Sequence, residues 1–151
     1  MLWKDALTLG LAVLGAVLGV MNTWNAISQR RLRLRVRPAV ATAVGTGFRA
    51  FSIEVINLSS FAVTISEVGI VYGRARGKRP RRAALLNPSL TSGGKLPIRL
   101  EPREAFSAHF NPGDFAGKGA HLGLAYAATS CGEIAYGDSP ALKQLRQALR
   151  P

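Results

Sequence analysis

An apolar stretch near the N-terminus, Ala6 to Ile27, most constrains what this chain can fold into, because it contains no charged residue. A helix needs about 20 predominantly apolar residues to cross the roughly 30 Å hydrocarbon core of a membrane. The stretch has that length, although its strictly apolar part runs only from Leu9 to Met21. We therefore predict a membrane-spanning anchor helix within residues 1–29.

Arginines follow this stretch directly, with no acid among them: Arg30, Arg31, Arg33, Arg35 and Arg37. An excess of Lys and Arg marks the cytoplasmic flank of a membrane span. Trp3 and Trp24 lie near the two ends of the stretch, where indole rings favour the membrane interface. The sequence thus predicts a single-pass membrane protein, with the N-terminus outside and the following domain in the cytoplasm.

A cleaved signal peptide is the main alternative, because its apolar core is shorter than a full span. Cleavage after Ala26-Ile27-Ser28 would release an exported, periplasmic domain. Two features favour the uncleaved anchor. The leading Met-Leu-Trp-Lys-Asp carries almost no net charge, whereas a signal peptide begins with positive charge. The arginines would also be the first residues to be exported. A buried or interfacial helix is a third alternative.

Small residues recur along the predicted helix at helical spacing: Ala12, Gly15, Ala16, Gly19 and Thr23. Gly15 and Gly19 form a GxxxG motif, and small residues allow close backbone approach between helices in lipid. This pattern predicts association of the helix with itself or with a larger membrane partner. The alternative is that Gly and Ala are simply common in membrane spans.

The chain is strongly basic, with a formal net charge of +12 over 151 residues, so anionic surfaces are the expected partners. A second basic cluster falls in a predicted loop, Gly73 to Arg82. Its members are Arg74, Arg76, Lys78, Arg79, Arg81 and Arg82. Both clusters are predicted to bind anionic lipid headgroups or an acidic protein. The alternatives are a solvated loop without a partner, and phosphate contacts with nucleic acid.

Residues 30–138 show the two-residue alternation of β-strands, with turn signals between the runs. Arg31 to Arg37 alternates Arg with Leu or Val, and Pro38 is expected to interrupt that strand. Phe51, Ile53 and Val55 indicate a second strand. About seven or eight such strands predict a mainly β fold, an antiparallel sandwich or barrel. Residues 139–151 are predicted to form a short C-terminal helix and tail, with Ser139 as N-cap and Pro140 as first helical residue.

Two segments suggest a family. Val55 to Gly69 (VINLSSFAVTISEVG) and Leu96 to Glu104 (LPIRLEPRE) together resemble a pattern in small bacterial and prophage single-span membrane proteins. Those proteins are mostly uncharacterised and carry one immunoglobulin-like β-sandwich domain. The resemblance covers most of the chain from Arg31 to Tyr136. It implies a bacterial inner-membrane location and an immunoglobulin-like fold, and it transfers no active site.

Nothing in the sequence predicts catalysis. His109 and His121 have no Cys, His or carboxylate partner at metal-ligand spacing. The chain has a single cysteine, Cys131, so an intrachain disulfide is excluded. A nucleophilic site of Cys131 with a histidine and Asp138 is the alternative to the simpler interpretation of Cys131 as a turn residue. We expect no metal and no cofactor. The expected function is that of a binding or scaffold module at the cytoplasmic membrane face, with a membrane tether for nucleic acid as the alternative.

Overall fold

A computed structural model describes residues 2–42, 49–72, 81–115 and 122–148. The contacts divide the chain into two compact units, Met1–Leu32 and Arg33–Pro151. The first unit consists of one long helix and the residues that follow it. The second unit contains β-strands and a short helix.

Helix α1 spans Leu2–Gln29 and so extends beyond the predicted stretch at both ends. Its 28 residues have a length of about 42 Å at 1.5 Å per residue. Two threonine hydroxyl groups within it donate hydrogen bonds to backbone carbonyls of the same helix. Thr8 donates to the carbonyl of Lys4 and Thr23 to that of Gly19, both at 2.9 Å. The predicted apolar helix is therefore confirmed, and it is long and apolar enough to cross a membrane.

The second unit is mainly β. Its described strands are β1 (Leu34–Thr42), β2 (Arg49–Asn57), β3 (Val63–Tyr72), β4 (Arg81–Ala84), β5 (Ser89–Leu90), β6 (Ile98–Leu100), β7 (Ala105–Phe110), β8 (Leu122–Thr129) and β9 (Ile134–Gly137). A short 3-10 helix covers Pro112–Phe115, and helix α2 covers Pro140–Ala148. All strand pairs are antiparallel.

The strands form two sheets. The first has the order β1-β2-β7-β5, and the second has the order β4-β3-β8-β9, with β6 also paired to β3. Both sheets bury alternating apolar side chains, and strands of one sheet contact strands of the other. The rings of Phe51 and Phe110, on β2 and β7, lie 5.3 Å apart in this core. The apolar core therefore lies between the two sheets.

Strand β1 runs straight through Pro38, which pairs with Ile53 of β2. The prediction that Pro38 interrupts the strand is wrong. A proline is tolerated because β1 is the outermost strand of its sheet, where one side makes no ladder hydrogen bonds. The far side of β1 is approached by β9. A Cβ atom at Gly137 would lie 2.7 Å from the carbonyl carbon of Val36, so only glycine fits there.

Strand β8 contains a register shift that the sequence pattern does not reveal. Leu122 pairs with Tyr72 and Ala125 with Ile70, so three steps on β8 match two on β3. As a consequence Leu122 is buried while Leu124 is exposed. The alternation of the sequence predicts that Leu122, Leu124 and Tyr126 share one face. This prediction is wrong, because a bulge reverses the alternation between Leu122 and Leu124.

Helix α2 begins as predicted, since the hydroxyl of Ser139 accepts a hydrogen bond of 3.1 Å from the main-chain N–H of Leu142. Leu142 and Leu145 are buried. Arg146 attaches the helix to β8 by donating to the carbonyl of Gly123 at 2.5 Å. The spacing of Leu142, Leu145 and Leu149 predicts one apolar face for this helix, and Leu149 lies outside the described residues.

Candidate membrane anchor and basic surface

Helix α1 exposes all its side chains from Trp3 to Ala26. Trp3 and Trp24, the predicted interface residues, are 65% and 70% exposed. The exposed surface of the helix is therefore apolar without interruption from Leu9 to Met21. Such a surface is stable in contact with lipid and costly in contact with water.

The small residues of α1 lie on one side of the helix. At 3.6 residues per turn, Ala12, Gly15, Ala16, Gly19 and Thr23 fall within an arc of about 100°. A Cβ atom built at Gly15 or Gly19 would meet no neighbouring atom within 4 Å. The Thr23 hydroxyl is satisfied by the Gly19 carbonyl within this arc. The arc is thus open for close packing, and its role in helix association stays a prediction.

The first basic cluster presents a row of exposed guanidinium groups. Arg33, Arg35 and Arg37 are exposed on one side of the chain, while Leu34 and Val36 face the other way. Arg37 pairs in register with Glu54 of β2, and Arg35 pairs with Ile56. Arg30 and Arg31, also exposed, lie between the end of α1 and this row. The outer side of β1 is therefore cationic, as the alternation predicts.

The second basic cluster is described only in part. Arg74, Arg76, Lys78 and Arg79 lie outside the described residues. The prediction that Arg81 and Arg82 lie in a loop is wrong. They are the first two residues of strand β4, which pairs with β3. Pairing with Val71 and Tyr72 of β3 explains the difference, because it supplies main-chain partners that a loop would lack. Both arginines are exposed.

Arg82 lies over a buried tyrosine on the outer face of the second sheet. Its guanidinium carbon is 5.9 Å from the ring centre of Tyr126, within cation–π range. The Tyr126 hydroxyl donates a hydrogen bond to the carboxylate of Glu67. Burial, and next the bond to Glu67, raise the pKa of Tyr126 well above its usual range. This side chain is therefore held neutral.

Tyr126 fits because the residue opposite it on β3 is glycine. A Cβ atom at Gly69 would lie 2.9 Å from both Cε1 and the hydroxyl oxygen of Tyr126. The tyrosine ring thus lies across the backbone of β3 instead of standing away from the sheet. The role of Tyr126 is structural, because its contacts with Glu67 and Arg82 connect β8 to β3 and β4.

Asn57 organises the end of the domain where β1 begins, a role that sequence patterns did not reveal. Its side-chain amide donates to the carbonyls of Phe61, Leu100 and Glu101, at 2.8, 3.1 and 3.2 Å. Its carboxamide oxygen accepts from the main-chain N–H of Ser59 at 2.9 Å. Asn57 is completely buried. The one local signal is an Asn with two serines two and three residues after it, a combination typical of turns.

The residues considered for catalysis are not brought together. Cys131 precedes β9 and Asp138 follows it, so they lie at opposite ends of that strand. A hydrogen bond with Thr129 lowers the pKa of the Cys131 thiol. His109 is on β7 of the first sheet, whereas Cys131 and Asp138 flank β9 of the second. The Nε2 atom of His109 lies 2.8 Å from the Thr91 hydroxyl. His121 lies outside the described residues. Among the described residues, no group of three or more His, Cys, Asp or Glu could hold a metal ion.

No protein-family model matches this chain, and no curated protein matches it. One solved structure that is similar to it is the X-ray structure of Northeast Structural Genomics Consortium target SoR45. The two share 14% sequence identity over 74% of this chain and 89% of that chain, with a TM-score of 0.31. At that TM-score the likeness supports no conclusion about fold or function.

Proposed function

We propose that this chain is a non-enzymatic binding or scaffold module, anchored by one membrane-spanning helix with its β domain at the cytoplasmic face of a bacterial inner membrane. The observation that carries the proposal is α1, which is long and apolar enough to cross a membrane and exposes an uninterrupted apolar run from Leu9 to Met21. A bilayer would cover these side chains. The proposed work of the protein is association with a larger membrane complex or with an anionic surface.

The arginines support the proposed orientation. Arg30 and Arg31 follow α1 at once, and Arg33, Arg35 and Arg37 continue the charge into the domain. A positive flank of this density favours retention on the cytoplasmic side. Near anionic headgroups, each basic residue contributes on the order of 1 kcal/mol of attraction. The same residues therefore support both topology and surface binding.

Strand order supports an immunoglobulin-like sandwich for the domain. In constant-type immunoglobulin domains, strands A, B, E and D form one sheet and strands C, F and G form the other. Here β1, β2, β7 and β5 lie in the positions of A, B, E and D, and β3, β8 and β9 lie in those of C, F and G. Strand β4 extends the second sheet beside β3. This order agrees with the proposed kinship to small bacterial and prophage single-span proteins.

Lipid or an acidic protein suits the cationic face better than nucleic acid bases do. The outward positions of β2 and β7, which continue the face of Arg35 and Arg37, hold no Phe, Tyr or Trp in the described strands. Single-stranded nucleic acid is gripped by aromatic stacking together with charge. The face therefore offers charge without a stacking platform.

Three measurements test the proposal. Carbonate extraction of membranes should leave the full-length chain in the pellet, and N-terminal sequencing should find the chain uncleaved. Affinity purification in mild detergent should then recover a membrane complex or a self-associated form. Release of the chain by carbonate, or a mature N-terminus near Gln29, would overturn the anchor.

A salt titration separates the nucleic-acid tether from this proposal. The full-length chain is placed in neutral nanodiscs and mixed with labelled duplex DNA. Tight binding that weakens steeply with salt is the mark of a phosphate tether. We expect weak binding to DNA and stronger recruitment of anionic vesicles.

A further inference from the structure

The first fixed residue of the domain lies close to the end of α1 along the chain. Helix α1 ends at Gln29, and only three residues separate it from Arg33. Four extended residues span at most about 14 Å. The tether Arg30–Leu32 therefore limits how far Arg33 can lie from the membrane surface at which the helix emerges.

Arg33 is bonded through its backbone to the turn between β2 and β3. Its N–H donates to the Ser59 hydroxyl at 2.8 Å, and its carbonyl accepts from the N–H of Leu58 at 2.8 Å. The same turn is held from within by the side chain of Asn57. The turn is thus a fixed part of the domain, held against the backbone of Arg33 by two hydrogen bonds.

This turn exposes two large apolar side chains, Leu58 at 44% and Phe61 at 39%. They lie within three residues of each other, on a turn whose backbone is fixed. An apolar side chain gains by leaving water for the boundary between headgroups and acyl chains. The fixed backbone lowers the ordering cost of such a contact.

The charges at this end of the domain determine whether anionic headgroups can approach the turn. Cations and carboxylates at this end of the domain balance in number: Arg33, Arg99 and Arg103 against Glu101, Glu104 and Glu133. Arg99 and Glu101 form an ion pair of 3.0 Å. Arg30 and Arg31, within three residues of Arg33 along the chain, add positive charge that no acid in the tether balances. Lipid phosphates are natural partners of these two arginines.

We propose that Leu58 and Phe61 insert into the interface of the bilayer that α1 crosses, so that the domain is docked on the membrane by a fixed turn. This inference rests on the proposed membrane anchor. The occupant of the apolar tip is the lipid bilayer, with the phosphates beside Arg30 and Arg31. A domain that swings freely on its tether, or a tip that contacts only a protein, is the contrary outcome.

Site-specific fluorescent labels on the full-length chain test the inference. In a Cys131→Ser background, single cysteines replace Leu58, Ser60 or Phe61 and carry an environment-sensitive dye. The chain is placed in nanodiscs that contain a nitroxide either near the headgroup or near the acyl-chain end. Ser60 is exposed, and its replacement removes no buried apolar group, so it reports on the tip even if a neighbouring variant is destabilised.

Two further sites supply the controls. Val40 is 47% exposed and lies near the opposite end of β1, about 20 Å from Leu34 at 3.3 Å per residue. Leu14 lies near the middle of α1, on the side away from the small residues. Val40→Cys controls for an exposed apolar position far from the tether, and Leu14→Cys reports on membrane insertion of the helix.

We expect the shallow nitroxide to quench labels at Leu58, Ser60 and Phe61 about twofold or more above the label at Val40. The deep nitroxide should quench the label at Leu14. If Leu14 is quenched but the three tip labels match Val40, the docking inference is overturned and the anchor stands. If Leu14 is not quenched by either nitroxide, the proposed anchor fails, and the docking inference fails with it.

Discussion

The side-chain amide of Asn57 donates a hydrogen bond of 2.8 Å to the carbonyl of Phe61, four residues further along the chain. Through this bond, a completely buried residue sets the shape of an exposed turn. The same amide reaches Leu100 and Glu101, which lead into the connection to β7. Asn57 therefore joins the turn after β2 to the turn before β7 at the end of the domain nearest the tether.

Replacement of Asn57 should destabilise the domain. Asn57→Ala leaves the carbonyl of Leu100 and the N–H of Ser59 without their buried partner. We expect a loss of about 2–4 kcal/mol in the free energy of unfolding. Asn111→Ala is the matched control, because Asn111 is exposed and accepts only from the N–H of Gly113. It should cost less than about 1 kcal/mol. Urea unfolding in detergent measures both, and equal losses would contradict the role of Asn57.

Substitution of Gly69 should disturb the Tyr126 cluster. A methyl group at Gly69 would lie 2.9 Å from the Tyr126 ring and closer still to the carbonyl of Ala83. Because that carbonyl is backbone, the strands must move, and we expect Gly69→Ala to cost about 1–3 kcal/mol. Gly113→Ala, whose nearest neighbour is the flexible side chain of Asn111 at 3.2 Å, is the control. Thermal unfolding compares the two, and a neutral Gly69→Ala would show that β3 and β4 can separate without cost.

Stability should fall at high pH because of Tyr126. Its pKa is raised by burial and by the bond to Glu67, while the unfolded chain has the ordinary value near 10. Above pH 10 the unfolded state therefore loses the proton first, and unfolding becomes more favourable by about 1.4 kcal/mol per pH unit. Tyr126→Phe should remove this contribution to the slope, while Tyr136→Phe, at an exposed position, should retain it. Parallel slopes for wild type and Tyr126→Phe would contradict the assignment.

Larger residues on the small-residue side of α1 should weaken helix association. Gly15→Leu with Gly19→Leu would keep two helices from close approach, with an expected loss of about tenfold in association. Val17→Leu, on another side of the helix, is the control and should leave association unchanged. Energy transfer between labelled chains in vesicles measures the effect. Equal transfer for both variants would show that this side of α1 is not an interface.

Local patterns predicted the elements of the fold well, because the underlying forces act between near neighbours. The apolar run predicted α1, and the Arg/Leu alternation predicted the exposed and covered sides of β1. Ser139 and Pro140 predicted the start of α2, since capping depends only on adjacent backbone groups.

Features that depend on distant contacts were not predicted. Pro38 remains in β1 because of its edge position, which only the sheet order reveals. The bulge in β8 arises from its pairing with β3. The role of Asn57 depends on carbonyls more than 40 residues away. Leu58 and Phe61 become a candidate docking tip only because the backbone of Arg33 holds their turn beside the tether.

A cytoplasmic location of the β domain can be measured by chemical labelling of Cys131. It is the single cysteine of the sequence and its side chain is exposed in the domain. Intact bacterial cells that express the full-length chain are treated with a membrane-impermeant maleimide, before and after permeabilisation of the inner membrane. A Cys131→Ser variant with cysteine at Trp3 reports on the other side. For a cytoplasmic domain on an anchor whose N-terminus lies outside, we expect Cys131 to be labelled only after permeabilisation and the cysteine at position 3 to be labelled before it. Labelling of Cys131 in intact cells would contradict a cytoplasmic, membrane-anchored domain.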